Sequence, residues 1–295
     1  MARQPRILSG KVVAITGGAR GIGLATGEAC ARKGMRVAIG DLDAELAEKA
    51  AAGIAPDAVG LALDVTDRES FAQFLEQVEE RLGPVDVLVN NAGIMPVGPF
   101  VEEDDDTARR QFDINVHGVI YGMKLALPKM VSRNSGHVVN VASMAGKGGF
   151  PLAATYCATK HAVVGLTEAV RGELRDTDIE LSCVMPSFVN TELTSGLRGS
   201  RAIKTVETSD VADAIVEALE LSRFEVFVPK NLGPINKVMS LVPRRGREKV
   251  AEWLDGDKAL QTVDPGTRAT YEERAARSEP ALAPGAEPER EAERV

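Results

Sequence analysis

Cysteine is scarce: Cys30, Cys157 and Cys183 are the three in 295 residues, and none has a partner at a paired spacing. This excludes a disulfide framework and suits reduced thiols in a cytoplasmic protein. Basic charge is short as well. The formal net charge is -8, whereas a nucleic-acid binder needs a basic face. No apolar run approaches the ~20 residues of a membrane-spanning helix; the best candidate, HGVIYGMKLALPKMV, is broken by Lys124 and Pro128. The opening MARQPRILSGK has charge but no long apolar core, so no secretory signal is expected. The acidic run 102–106 has no histidines beside it. It reads as a solvated helix start, where negative charge is favoured by the dipole, and no metal site is expected. There is no internal repeat. What is present is the 44% apolar and 26% charged content of an ordinary globular protein, long enough for one large α/β domain or two small ones.

The stretch around which the chain is organised is 143–160, SMAGKGGFPLAATYCATK. A buried strand ends on Ser143, and Tyr156 and Lys160 then stand four residues apart, on one face of a helix expected over 153–174. A phenol ionises near pH ~10, too high for proton exchange at neutral pH. A cation beside it favours the phenolate, so Lys160 is expected to lower the Tyr156 value while Ser143 holds the oxygen of an alcohol or carbonyl. A half-buried tyrosine beside a solvated lysine is the competing reading of the same spacing, and the rest of the chain decides between them.

Residues 11–16, KVVAIT, form a short β-branched run followed at once by GGARGIG and then by a helical pattern ending at Gly34. Strand, glycine turn and helix in that order is the context a phosphate-binding loop demands. Gly17 turns tightly, Gly21 lets the backbone approach a pyrophosphate, and Gly23 lets the helix pack on the sheet. A plain glycine-rich turn is the alternative. The strand 35–40 ends at Asp41, placed to accept hydrogen bonds from ribose hydroxyls and to repel a 2′-phosphate, which selects NAD over NADP. Asp41 could instead open the following helix, a role Asp43 can also fill. Arg20 fits either cofactor. Further strands deliver Asp64 and Val65, then Asn90, Asn91 and Gly93, then Ser143, then Pro186. A long helix over 106–131 carries Asn115 among apolar neighbours, and a last strand, FEVFVP, ends at Pro229. Strands alternating with helices imply a doubly wound parallel sheet of seven strands, a Rossmann fold, with ligands at the carboxyl ends of the strands.

In order and spacing these motifs resemble the short-chain dehydrogenase/reductases, over roughly 8–229: TGGARGIG, Asp41, Asp64-Val65, NNAG, Asn115, Ser143, YCATK and the loop at Pro186. The resemblance implies an NAD(P)-dependent oxidoreductase with a catalytic set of Asn115, Ser143, Tyr156 and Lys160. Asn115 would hold a water that joins Lys160 to a proton relay, and Lys160 would also bind the nicotinamide ribose. The implied cofactor contacts are Gly17, Arg20, Gly21, Ile22 and Gly23 in the glycine turn, Asp41 and Leu42, Asp64 and Val65, and Asn91, Ala92 and Gly93. Tyr156, Lys160, Pro186, Val189 and Thr191 complete them. A homodimer or homotetramer is also implied. One departure is visible: Ser187 stands where the family usually has glycine, narrowing the backbone choices of that loop.

These residues are read as one catalytic domain over 8–229, a helical extension over 230–263 and a flexible tail over 264–295, where Pro, Ala, Glu and Arg dominate. The extension mixes apolar residues with Arg244, Arg245, Arg247 and Lys249. It could be a lid, a subunit contact, a helix resting on a membrane surface through 233–254 without spanning it, or simply an extra packed helix. The expected function is NAD-dependent interconversion of a hydrophobic, secondary alcohol and its ketone or aldehyde. An NADPH-dependent carbonyl or ketoacyl reductase and a non-catalytic nucleotide-sensing scaffold are the alternatives.

Overall fold

The computed structural model describes residues 5–194, 205–243, 245–246, 249 and 265–277. Seven strands, β1 (Val12–Thr16), β2 (Arg36–Asp41), β3 (Val59–Ala62), β4 (Val87–Asn90), β5 (Gly136–Val141), β6 (Ile179–Pro186) and β7 (Glu225–Val228), form one sheet in the order 3-2-1-4-5-6-7. Every pairing is parallel. β1 is buried at all five positions, as expected of a central strand covered on both faces, where the apolar run is continuous and does not alternate. It pairs with β2 on one side and β4 on the other, Val13 lying against both Val37 and Val87. That is the point where strand order reverses, and a crevice opens there between neighbouring loops.

Helices α1 (Gly21–Arg32), α2 (Ala44–Ile54), α3 (Arg68–Leu82), α4 (Asp105–Phe112), α5 (Gly118–Arg133), α6 (Ala154–Glu173) and α7 (Thr208–Leu221) connect the strands. Two apolar clusters separate the layers. Cys30 of α1, Ala51 of α2 and Ile215 and Leu219 of α7 lie with Val13 and Ile15 on one face. Phe71 and Phe74 of α3, Met123 of α5 and Val163 of α6 lie with Ala14 and Leu88 on the other. Carboxylates start the helices: Asp43 accepts the Leu46 N–H, Asp67 the Glu69 N–H and Asp104 the Thr107 N–H. Asp43, not Asp41, thus caps α2, and the acidic run opens α4 as its sequence implied.

One expectation is refined and one corrected. The helix over 106–131 runs through α4 and α5 as expected, but carries a wider turn at Asp113–His117 with π-type hydrogen bonding. The extra residue rotates Asn115 inward, where it is fully buried. The tail expected to be flexible from 264 onward instead begins with a helix, α9 (Pro265–Arg277), docked on the carboxyl end of the sheet; residues 278–295 lie outside the described residues. Of the 230–263 extension, α8 (Leu232–Leu241) is described; Gly233 packs on Phe227, while Ile235, Val238 and Leu241 stay exposed. Among the described residues no helix is long and apolar enough to cross a membrane.

Candidate active site

The turn after β1 is shaped by what cannot fit. Gly17 has φ +61°, and a Cβ there would stand 2.9 Å from Ala92 Cα; a Cβ on Gly23 would stand 2.2 Å from the Gly17 carbonyl oxygen. The β4 loop is stitched to this turn. Thr16 Oγ1 accepts the N–H groups of Asn91 and Ala92, both at 3.0 Å, and Asn91 Nδ2 donates to the carbonyls of Thr16 and Gly17 at 2.9 and 3.0 Å. α1 begins beyond it with no side chain capping its first turn, which leaves its leading N–H groups to an anion. Asp41 accepts the Ala19 N–H at 3.1 Å and joins the tip of β2 to the same turn. Arg20 is paired with Glu192 at 3.3 Å and Asp43 at 3.9 Å. Asp64 holds its own turn through the Thr66 N–H and hydroxyl.

The proton-exchange residues come from β5 and α6. Ser143, at the end of β5, accepts the Ala145 N–H at 3.1 Å and is hydrogen-bonded to the Tyr156 phenol. Lys160 lies one helical turn beyond, its Nζ 5.6 Å from the Tyr156 ring centroid and donating to the Val141 carbonyl at 3.0 Å. Tyr156 and Lys160 are both buried. The expectation that Lys160 draws the phenol downward is corrected: burial pushes Tyr156 up to about 12, with the Ser143 hydrogen bond opposing it. Burial also lowers Lys160 to about 8. In both groups withdrawal from water disfavours the charged form, and at Tyr156 that penalty is the larger effect.

A single cavity of about 650 Å³ joins these parts. Gly17, Arg20, Gly21, Ile22, Asp41, Leu42, Asp64, Val65, Asn91, Ala92 and Gly93 line one end. Ser143, Tyr156, Lys160, Pro186 and Val189 line the rest, and Thr191 stands beside Gly21. Three of the residues singled out from sequence stand behind the wall, among them Asn90, whose amide donates to the Asn140 side chain. Gly23 packs under the turn, and Asn115 gives its side chain to the backbone, accepting the Ile94 N–H and donating to the Ile94 carbonyl and to Thr159. Ser187 donates its N–H to the Val228 carbonyl and is not among the residues with positive φ, so serine fits there without backbone strain. The cradle of N–H groups, the turn closed to any Cβ and the acidic strand end fit a dinucleotide.

Sequence reasoning placed the segment after Thr191, which holds Leu193, in the pocket wall but missed Met95, Tyr271 and Ala275, the last two from α9. A signal existed: Arg268, Tyr271, Glu272 and Ala275 fall at i, i+3, i+4 and i+7, one face of a helix opened by Pro265.

Comparison with known proteins agrees with this geometry. A family model described as short chain dehydrogenase matches residues 11–202. A sorbitol dehydrogenase of Cereibacter sphaeroides is 40% identical over 191 residues, 64% of this chain and 75% of that one. The human 17-beta-hydroxysteroid dehydrogenase 13 is 30% identical, with 81% of each chain covered. A short chain dehydrogenase/reductase of Burkholderia phymatum, solved in complex with NAD, superposes with a TM-score of 0.73 at 26% identity, over 80% of this chain and 94% of that one.

Proposed function

The chain belongs to the short-chain dehydrogenase family and is an oxidoreductase acting on CH–OH donors; from that premise we propose that it is NAD-dependent and that its substrate is a hydrophobic secondary alcohol or the matching ketone. The observation that carries this reading is the cavity itself, in which Ser143, Tyr156 and Lys160 stand between a polar, backbone-lined end and an apolar chamber. The nicotinamide, when bound, supplies the hydride acceptor or donor. Gly17, Gly21, Ile22 and the N–H groups of α1 hold its pyrophosphate, Asp41 and Leu42 the adenosine ribose, Asp64 and Val65 the adenine, and Lys160 the second ribose. Asn91, Ala92, Gly93, Pro186, Val189 and Thr191 form the surrounding wall. Ser143 orients the substrate oxygen. Tyr156 takes the hydroxyl proton in oxidation and returns it in reduction, and Asn115 fixes the segment at Ile94 that backs the site.

Asp41 supports NAD over NADP: a 2′-phosphate beside it would meet a carboxylate, and Arg20, the nearby cation, already faces Asp43 and Glu192. The walls bear on the substrate. Met95, Ala145, Ala153, Tyr156 and Cys157 form an apolar cluster with Phe150, Phe188 and Leu193 against it. Each hydroxyl of a polyol buried there would need a partner and lose free energy without one. The hydroxysteroid relative therefore indicates the substrate type better than the sorbitol relative does. The test is to measure dissociation constants for NADH and NADPH and then turnover of hydrophobic secondary alcohols against polyols with NAD. NADH tighter by about tenfold or more, with the apolar alcohols preferred, is the expected outcome. Tighter NADPH, or a polyol preference, overturns the corresponding half of the reading.

A further inference from the structure

We propose that α9 is the specificity-determining wall of the substrate chamber, with Tyr271 touching the substrate and Arg268 holding the wall in place. This rests on the reading that alcohol chemistry occurs at Tyr156 in the same cavity.

Arg268 is 1% exposed although it carries a permanent charge. Its fork is filled on the side of the protein body: Nη2 donates to the Met95 carbonyl at 2.5 Å and Nη1 to the Leu193 carbonyl at 3.0 Å. Its Nε pairs with Glu272 at 2.5 Å. Met95 belongs to the loop after β4 and Leu193 to the loop after β6, so one planar guanidinium joins the two loops that flank the chamber. Glu272 also accepts the Val97 N–H, and Arg110 donates to the Ala275 carbonyl. A buried charge held by a counter-ion and two carbonyls is a strong positional constraint, since removing a partner leaves the others unsatisfied.

Tyr271 is presented by this framework. Its oxygen accepts the Met95 N–H at 2.7 Å, leaving its own proton available for donation. It lines the cavity together with Tyr156. Burial pushes the Tyr271 phenol up, the Tyr156 phenol adding slightly to the rise, so it remains a neutral donor. Arg268 is neutralised by Glu272, so the wall offers no net cation to an anionic substrate. Apolar walls with a neutral phenol donor in the same cavity as Tyr156 recognise a hydrophobic alcohol that carries a second, uncharged oxygen acceptor.

The test compares cyclohexanol, which lacks that second oxygen, with 4-hydroxycyclohexanone, which has it, in wild type, Tyr271→Phe and Arg268→Met. Tyr271→Phe keeps the ring and removes the donor. It is expected to lower the kcat/KM ratio of the keto-alcohol to cyclohexanol by about fivefold, the worth of one hydrogen bond, through KM and not kcat. The NADH dissociation constant stays within about twofold. Arg268→Met is expected to speed amide exchange at Met95 and Val97 and to weaken the same preference. An unchanged ratio in Tyr271→Phe overturns the role of Tyr271, and unchanged exchange and preference in Arg268→Met overturns that of Arg268. If wild type turns over neither compound, the reading of the reaction fails for them, and calorimetric affinities of the two probes for the NADH complex then decide the wall separately. A ratio lowered by Tyr271→Phe upholds it, and an unchanged ratio or no binding of either probe overturns it.

Discussion

The two ends of the cavity are built differently. At the nucleotide end the walls are turns that directly follow parallel strands, and the groups on offer are backbone N–H and short polar side chains fixed by neighbours, as Asn91 is fixed by Thr16 and Gly17. At the substrate end the walls are apolar side chains from distant segments, with Met95, Phe150, Phe188 and Leu193 converging on Tyr156. Sheet register alone places the first set. The second depends on how loops and α9 pack on one another. Tyr156 stands at the seam, and replacing it gives the sharpest separation of the two. Tyr156→Phe removes the proton-exchanging hydroxyl and keeps the buried ring, so kcat is expected to fall about a thousandfold while NADH affinity holds. Absorbance of NADH and a fluorescence titration measure the two quantities. Activity kept at wild-type level would remove Tyr156 from the reaction.

The same contrast explains what the sequence disclosed. β1 and the turn after it were legible because a buried apolar strand, a positive-φ glycine and a helix start each leave a local mark within residues 11–32, and local marks need no knowledge of the rest of the fold. Asp41 was legible as a strand end for the same reason, although its hydrogen bond to the Ala19 N–H was not. α9 was overlooked because its amphipathic face, marked by residues 268, 271, 272 and 275, is short, rich in alanine and arginine, and set in a segment of disorder-like composition. What orders it is tertiary: the carbonyls of Met95 and Leu193, each more than 70 residues away. The wide turn at Asn115 was missed because apolar periodicity continues across it. The ionisation of Tyr156 was misjudged because spacing shows which charges are near but not how much water the fold removes.

Lys160 offers the next largest effect, because it belongs to the seam at a cost to the fold. Burial lowers its pKa from 10.5 to about 8. A depressed folded-state value means that protonation opposes folding: the penalty is absent above pH 10.5, grows as pH falls, and is complete below about 8. Lys160→Met removes the charge at similar length but leaves the Val141 carbonyl without its donor. Stability at pH 7 is expected to rise by about 2 kcal/mol while turnover collapses. The advantage should disappear by pH 10.5. Urea denaturation at the two pH values measures it, and a less stable variant at pH 7 would show that the lysine contributes more as a hydrogen-bond donor than its burial costs.

At the nucleotide end the corresponding probe is Gly23→Ala. The added Cβ would stand 2.2 Å from the Gly17 carbonyl oxygen and 2.7 Å from Asn91 Nδ2. The first contact is with backbone, which no change of rotamer relieves, so the turn must shift. Overpacking of this kind costs about 1–3 kcal/mol, and here the displaced atoms are those that shape the anion cradle. NADH affinity is expected to fall about tenfold or more, while binding of an apolar probe in the substrate chamber holds. Equal losses at both ends would show that the two halves of the cavity form one cooperative unit.

The smallest effect per step tests the balance between burial and cation at the seam itself. With Tyr156 pushed up to about 12, the phenol is protonated throughout the neutral range. Ketone reduction, which needs the acid, should therefore show no break from the phenol between pH 6 and 9, where the only titration in the set is that of Lys160 near 8. Alcohol oxidation needs the base, and the phenolate fraction grows about tenfold per pH unit below the pKa, so its kcat/KM should climb with a slope near one in logarithmic units. Steady-state rates in both directions over one buffer series supply the comparison. A plateau in oxidation beginning near neutral pH would mean that the phenol has already ionised there. Lys160 would then outweigh burial in the working enzyme, and the lysine-tuned proton exchange expected from the four-residue spacing of Tyr156 and Lys160 would be restored.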